Sequence, residues 1–125
     1  MFVQESGLMR ILVTGASGFV GQAVVRILSL ANEEVVAAVR NETAALSLPQ
    51  GVKAVLVGDM DDTPVWDEAL DGCEAVIHLA ARVHVMKEDN PNPLDAFRRV
   101  NVAGTAALAQ AALKAGVRRF IYLSS

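Results

Sequence analysis

Basic charge, cysteine and aromatic rings are scarce in this chain, and long apolar runs are absent. Its 125 residues carry 11 Lys and Arg against 14 Asp and Glu, a formal charge of −3. Nothing gathers into a long basic stripe, so the electrostatic attraction behind nucleic-acid binding is missing. The one cysteine, Cys73, has no partner for an internal disulfide. It reads as a small, buried or half-buried side chain ahead of a strand. That usage suits a reducing compartment, and a cytoplasmic location is expected. No run reaches the roughly 20 apolar residues that cross a bilayer, so no membrane partner is expected. Glu5 comes early, and the first apolar run leads straight into glycines, unlike a secretory leader. His78 and His84 lack carboxylate or cysteine companions at ligand spacing, so no metal is expected.

What the chain does have is small aliphatic bulk. Apolar residues make up 53% and aromatics only 5%. That suits helices packed closely on a sheet, and the length suits one domain. Residues 1–9 read as an extension, and the periodic pattern starts at Arg10.

Ile11–Val13 is a short, wholly apolar run, as a parallel strand covered on both faces should be. Thr14–Gly21 turns the chain. Val20, Val24, Ile27 and Leu28 then recur at helical spacing, and the helix is expected to end near Ala31 or Asn32. Val35–Val39 is the second strand. A short helix over Thr43–Leu48, stopped by Pro49, is expected next. Ala54–Val57 is the third strand. Thr63 and Pro64 suit the start of a helix that turns Trp66, Ala69 and Leu70 to the sheet and closes at Gly72.

Ala75–Leu79 is the fourth strand, and the polar stretch Arg82–Pro93 reads as a surface loop. Leu94–Ala115 is the longest helical pattern, with Phe97, Val100, Ala103, Leu108, Ala111 and Leu113 at threes and fours, stopped by Gly116. Arg118–Leu123 is the fifth strand. Strands alternating with helices predict an α/β fold, a doubly wound parallel sheet of Rossmann type with strand order 3-2-1-4-5.

Gly15, Gly18 and Gly21 lie three apart between the first strand and the first helix. In that context the first allows a sharp turn, the second lets backbone approach a phosphate, and the third lets helix and strand pack closely. Free amides at the helix start, with the helix dipole, favour an anion such as a dinucleotide pyrophosphate. No Lys-Ser or Lys-Thr pair follows, which argues against a mononucleotide kinase site.

Val13–Gly21, Gly58-Asp59, His78–Ala81 and Asn101–Thr105, with Phe120–Ser125, together resemble the extended short-chain dehydrogenase/reductase family. The closer resemblance is to its nucleotide-sugar epimerases and dehydratases. It covers nearly all of the chain from Arg10 and implies NAD as cofactor, with NADP the alternative. By that resemblance Gly15, Ser17, Gly18, Phe19, Val20 and Gly21 surround the pyrophosphate. Asp59 accepts from the adenine amino group, with Met60 beside the ring; a turn-forming or helix-capping acid is the alternative for Asp59. Leu79, Ala80 and Ala81 leave room for the ribose and nicotinamide, or simply pack tightly.

By the same resemblance Asn101 matches the family's helix asparagine, whose water or backbone contact links the catalytic lysine to solvent; an exposed or locally bonded asparagine is the alternative. Ser125 aligns with the hydroxyl that polarises the substrate, with Ser124 as a neighbouring competitor. His78, inside a strand, reads as a satisfied structural histidine rather than a base.

Two departures stand out. An acid that would bond the ribose hydroxyls is missing after the second strand, where Val39 and Arg40 stand. Arg40 either meets a 2′-phosphate or is an ordinary loop arginine. The family's Tyr-x-x-x-Lys pair is also missing, because Tyr122 has no lysine four residues on. The chain therefore reads as the amino-terminal piece of a longer enzyme, without the substrate domain and with an incomplete sheet. The resemblance implies a nucleotide-sugar substrate and a homodimer for that enzyme. The other readings are an NADP-dependent carbonyl reductase and a non-catalytic dinucleotide-binding protein.

Overall fold

A computed structural model describes residues 9–58, 65–79 and 93–123, with backbone only over 93–100. Along the chain run β1 (Arg10–Thr14), α1 (Phe19–Leu30), β2 (Glu34–Val39), α2 (Glu42–Ala45) and β3 (Lys53–Leu56). After them come α3 (Asp67–Leu70), β4 (Ala75–His78), α4 (Pro93–Lys114) and β5 (Arg119–Tyr122). The five strands form one sheet in the order β3-β2-β1-β4-β5, with every pairing parallel. This is the expected doubly wound order, and β1 is its centre.

Period-two alternation explains why the inner strands are apolar throughout. In β1, Leu12 faces one layer, with Val36, Val76, Trp66, Leu70 and Leu108. Ile11 and Val13 face the other, with Val25, Val35 and Val39. A strand covered on both faces has no solvent side on which a polar residue would be tolerated. Cys73 is buried, and burial pushes its thiol above the usual range.

Helix ends follow from local chemistry. Beyond Ala31, Asn32 takes φ 63°, and Glu33 N–H reaches back to Leu28 O at 3.0 Å. Val117 N–H does the same to Ala112 O at 2.9 Å, past Gly116 at φ 86°. Both are left-handed caps that satisfy carbonyls the helix leaves open. Asn41 starts α2, its Oδ1 accepting from Ala44 N–H at 2.9 Å. The helix expected through Leu48 ends at Ala45. Beyond it the bonds tighten to three-residue steps, Leu46 to Thr43 and Leu48 to Ala45.

Two helix faces differ from the sequence pattern. In α1 the buried residues are Gly21 and Val25, while Val20 and Ile27 are exposed. In α4, Leu108 and Ala112 are buried, whereas Ala103 and Leu113 face solvent. The helix expected to open at Thr63 is described from Asp67, with Trp66 at its N-cap. Thr63, Pro64 and residues 82–92 of the expected surface loop lie outside the described residues, and Pro93 already belongs to α4. Trp66, Ala69, Leu70 and Gly72 stand as expected, the first three buried and the last at φ 74°.

Candidate functional site

From β1 the chain steps outward through β2 and β3, then crosses back to β4 and β5 on the other side. The carboxyl ends of β1 and β4 therefore lie side by side, with Thr14 opposite His78. Ligands of open α/β sheets bind in the crevice above such a reversal, because the loops there part in opposite directions.

The three glycines edge this crevice, each for a different reason. Gly15 has φ 66°, a conformation that L side chains rarely adopt, so the turn itself needs glycine. A Cβ on Gly21 would collide with the Gly15 carbonyl oxygen and sit 2.9 Å from Ala16 Cα. Helix α1 can therefore lie this close to β1 only with hydrogen at that position. Gly18 is different. Its backbone is ordinary, at φ −73° and ψ 175°. An added Cβ would meet only Gly15 O, at 3.3 Å, a few tenths of an ångström too tight.

The start of α1 is open. Gly18 is the N-cap, no side chain caps it, and no acid occupies the first turn. Gly18 is exposed, and the Phe19 ring points into solvent at 95% exposure. Gln22 Nε2 donates to Ser17 O at 2.8 Å, which fixes the turn without using the first-turn amides. A 12-residue helix beginning this way presents N–H groups and the positive end of its dipole to an anion.

Beneath the crevice lies a polar chain, buried at Thr14 and His78 and half-buried at Thr105. Thr14 Oγ1 and His78 Nδ1 are 2.6 Å apart, and His78 Nε2 and Thr105 Oγ1 are 3.1 Å apart. Leu79 N–H donates to Thr14 Oγ1 at 3.0 Å. The His78 ring stacks on Tyr122 at 5.3 Å and meets Phe120 at 6.2 Å. Burial lowers its pKa from 6.5 to about 4, so the imidazole is neutral at pH 7. His78 is the satisfied structural histidine that its place in a strand suggested. The sequence reading missed its partners. Thr14 directly precedes the first glycine and Thr105 stands four residues after Asn101, but neither position marks a hydrogen bond by itself.

The other sequence candidates divide into two groups. Ser17 and Leu79 are half-buried at the crevice, and Phe19 and Val20 open α1. Asn101 is half-buried on α4, on the stripe that carries Thr105 and Leu108. Arg40 is exposed directly after β2. Asp59, Met60, Ala80, Ala81, Ser124 and Ser125 lie outside the described residues. Among the described residues no group of His, Cys, Asp and Glu is placed to hold a metal ion. Nor is any described helix long and apolar enough to cross a membrane.

Comparison with known proteins agrees with this geometry. The model of the NAD dependent epimerase/dehydratase family matches residues 11–125. A UDP-glucose 4-epimerase of Vibrio cholerae is 40% identical over 116 residues, covering 92% of this chain and 34% of the relative. A 3 beta-hydroxysteroid dehydrogenase/Delta 5-->4-isomerase of Mycobacterium tuberculosis is 38% identical over 122 residues, covering 94% and 32%. A short-chain dehydrogenase/reductase superfamily protein of Agrobacterium tumefaciens, solved with bound NAD, superposes with TM-score 0.71 at 38% identity, covering 93% and 32%. The chain thus spans about a third of the length of the relatives it matches.

Proposed function

The chain belongs to the NAD dependent epimerase/dehydratase family, and we propose that it is the NAD(P)-binding portion of a nucleotide-sugar epimerase or dehydratase. One observation carries the cofactor part. Gly18 has an ordinary backbone and an exposed position, unlike Gly15 and Gly21, whose glycines the fold itself demands. Hydrogen at that position serves close approach by something outside the chain. The uncapped first turn beside it suits a diphosphate.

The residues fit the cofactor in the following way. The amides of Phe19, Val20 and Gly21 would take the pyrophosphate, with Gly15 and Ser17 shaping the turn beneath it. Asp59 and Met60 would meet the adenine, and Leu79, Ala80 and Ala81 the ribose and nicotinamide. When bound, the nicotinamide supplies a reversible hydride acceptor for the carbon being oxidised. Asn101 would hold a water or backbone contact at that end of the crevice, and Ser125 would polarise the reacting hydroxyl or carbonyl. Tyr122 is the one tyrosine and stacks on His78 within β5, so it is not the acid–base group. Turnover of the sugar therefore requires a Tyr-x-x-x-Lys pair that these 125 residues do not contain.

A second reading rests on Arg40. It stands exposed after β2, where an acid would bond a ribose diol, and a guanidinium suits a 2′-phosphate instead. This favours an NADP-dependent carbonyl reductase of the same family. Titration of the chain with NADH and with NADPH at fixed salt, followed by nucleotide fluorescence, tests both readings. Saturable binding is expected, weakened about tenfold or more in Gly18→Val, whose added bulk fills the phosphate position. Preference for NADPH selects the second reading. Absence of saturable binding of either nucleotide, or equal binding by Gly18→Val, overturns the cofactor assignment.

A further inference from the structure

We propose that Thr14, His78 and Thr105 act as a positioning clamp, fixing α4, and with it Asn101, against the paired ends of β1 and β4 under the nicotinamide half of the crevice. The proposal rests on the dinucleotide reading above and deepens it.

Thr14 and His78 are the two buried polar residues in a described core that is otherwise apolar. Buried polar groups are tolerated only when bonded, and an apolar trio of similar volume would hold the layers together as well. What the polar trio adds is direction. Thr14 and His78 end their strands and face each other in register. Both ring nitrogens are engaged, one by β1 and one by α4, and Phe120 and Tyr122 lie against the ring. The imidazole therefore cannot rotate without breaking a bond at each end.

A neutral ring serves the chain in either tautomer. One threonine hydroxyl donates to the bare nitrogen and the other accepts from the N–H. Thr14 Oγ1 also accepts from Leu79 N–H, so the first residue beyond β4 is tied to the same point.

The clamp's position follows from the topology. In a doubly wound sheet the residue after the second strand meets the adenosine ribose, so that half of the dinucleotide lies over β1, β2 and β3. The other half must lie over β4 and β5, above His78. Asn101 is one turn from Thr105 on the same face of α4, so the bond that seats Thr105 also sets the height of Asn101. His78 itself is fully buried, out of reach of anything in the crevice. It acts through others.

Two variants of the chain test this, His78→Phe, which keeps an aromatic ring without ring nitrogens, and Thr105→Val. NADH probes both halves of the crevice, and ADP probes only the adenosine and pyrophosphate half. In variants that unfold cooperatively, the ratio of NADH to ADP affinity is expected to fall about fivefold, the worth of one net hydrogen bond. The double variant should lose no more than either single one. Amide exchange over 101–108 should quicken about tenfold while α1 is unchanged. A ratio unchanged in either folded variant, or both affinities falling together, overturns the clamp. If the parent chain binds neither nucleotide, the cofactor reading fails instead. Exchange over 101–108 then judges the clamp by itself, and unaltered exchange overturns it.

Discussion

At the level of single residues, a methyl group added at Gly18 or at Gly21 separates ligand chemistry from packing. Gly21→Ala places carbon against the Gly15 carbonyl, which is backbone and cannot swing aside. We expect a loss of about 3 kcal/mol or more, read from urea unfolding. Gly18→Ala crowds one oxygen at 3.3 Å and should shift stability by less than about 1 kcal/mol while weakening nucleotide binding. His78 gives a pH signature. The unfolded chain takes up a proton near 6.5, whereas the buried ring resists until about 4. Stability from the neutral ring is thus complete above pH 6.5 and drains away as pH falls toward 4, by on the order of 3 kcal/mol. Urea midpoints measured from pH 7 to pH 4 should show that slope, and His78→Gln should flatten it. The turn at Gly15 and the packing at Gly21 were legible because both follow from glycine spacing between a strand and a helix. Thr14 and Thr105 were not, because they lie 64 and 27 residues from His78 in the chain.

At the level of elements, strands were easier to read than helix faces. Ile11–Val13 and Val35–Val39 are apolar without interruption, and only strands covered on both faces tolerate that. In α1, periodicity favoured Val20 and Ile27 as inward positions, yet both are exposed. The collision at Gly21 explains the difference. The one residue that can touch the Gly15 backbone must face inward, and this rotates the helix to bury Val25. In α4 the many alanines make several stripes nearly equal by pattern. Contact with the core selects Leu108 and Ala112 and leaves Leu113 79% exposed. Leu108→Ala should therefore cost about 2–4 kcal/mol, and Leu113→Ala under about 0.5 kcal/mol, in the same denaturation assay.

At the level of the whole molecule, β5 is the last strand in the sheet order among the described residues, and Ile121 and Leu123 are each more than half exposed. An apolar strand without a neighbour is a template for association. The chain should self-associate as concentration rises in sedimentation velocity, and Ile121→Lys should shift it toward monomer. The purified 125-residue chain should also fail to epimerise UDP-glucose in the presence of NAD, followed by product chromatography, since Tyr122 is committed to the His78 stack. Chain order, strand identity, the sheet's 3-2-1-4-5 sequence and the glycine turn were determined by the amino acids in order. Each depends on period, on glycine spacing or on the handed crossover of parallel strands, all of which are local or topological. The helix rotations, the Thr14–His78–Thr105 chain and the different demands on Gly18 and Gly21 were decided only by tertiary structure. They depend on which distant atoms come within a few ångströms, and a linear pattern does not contain that distance.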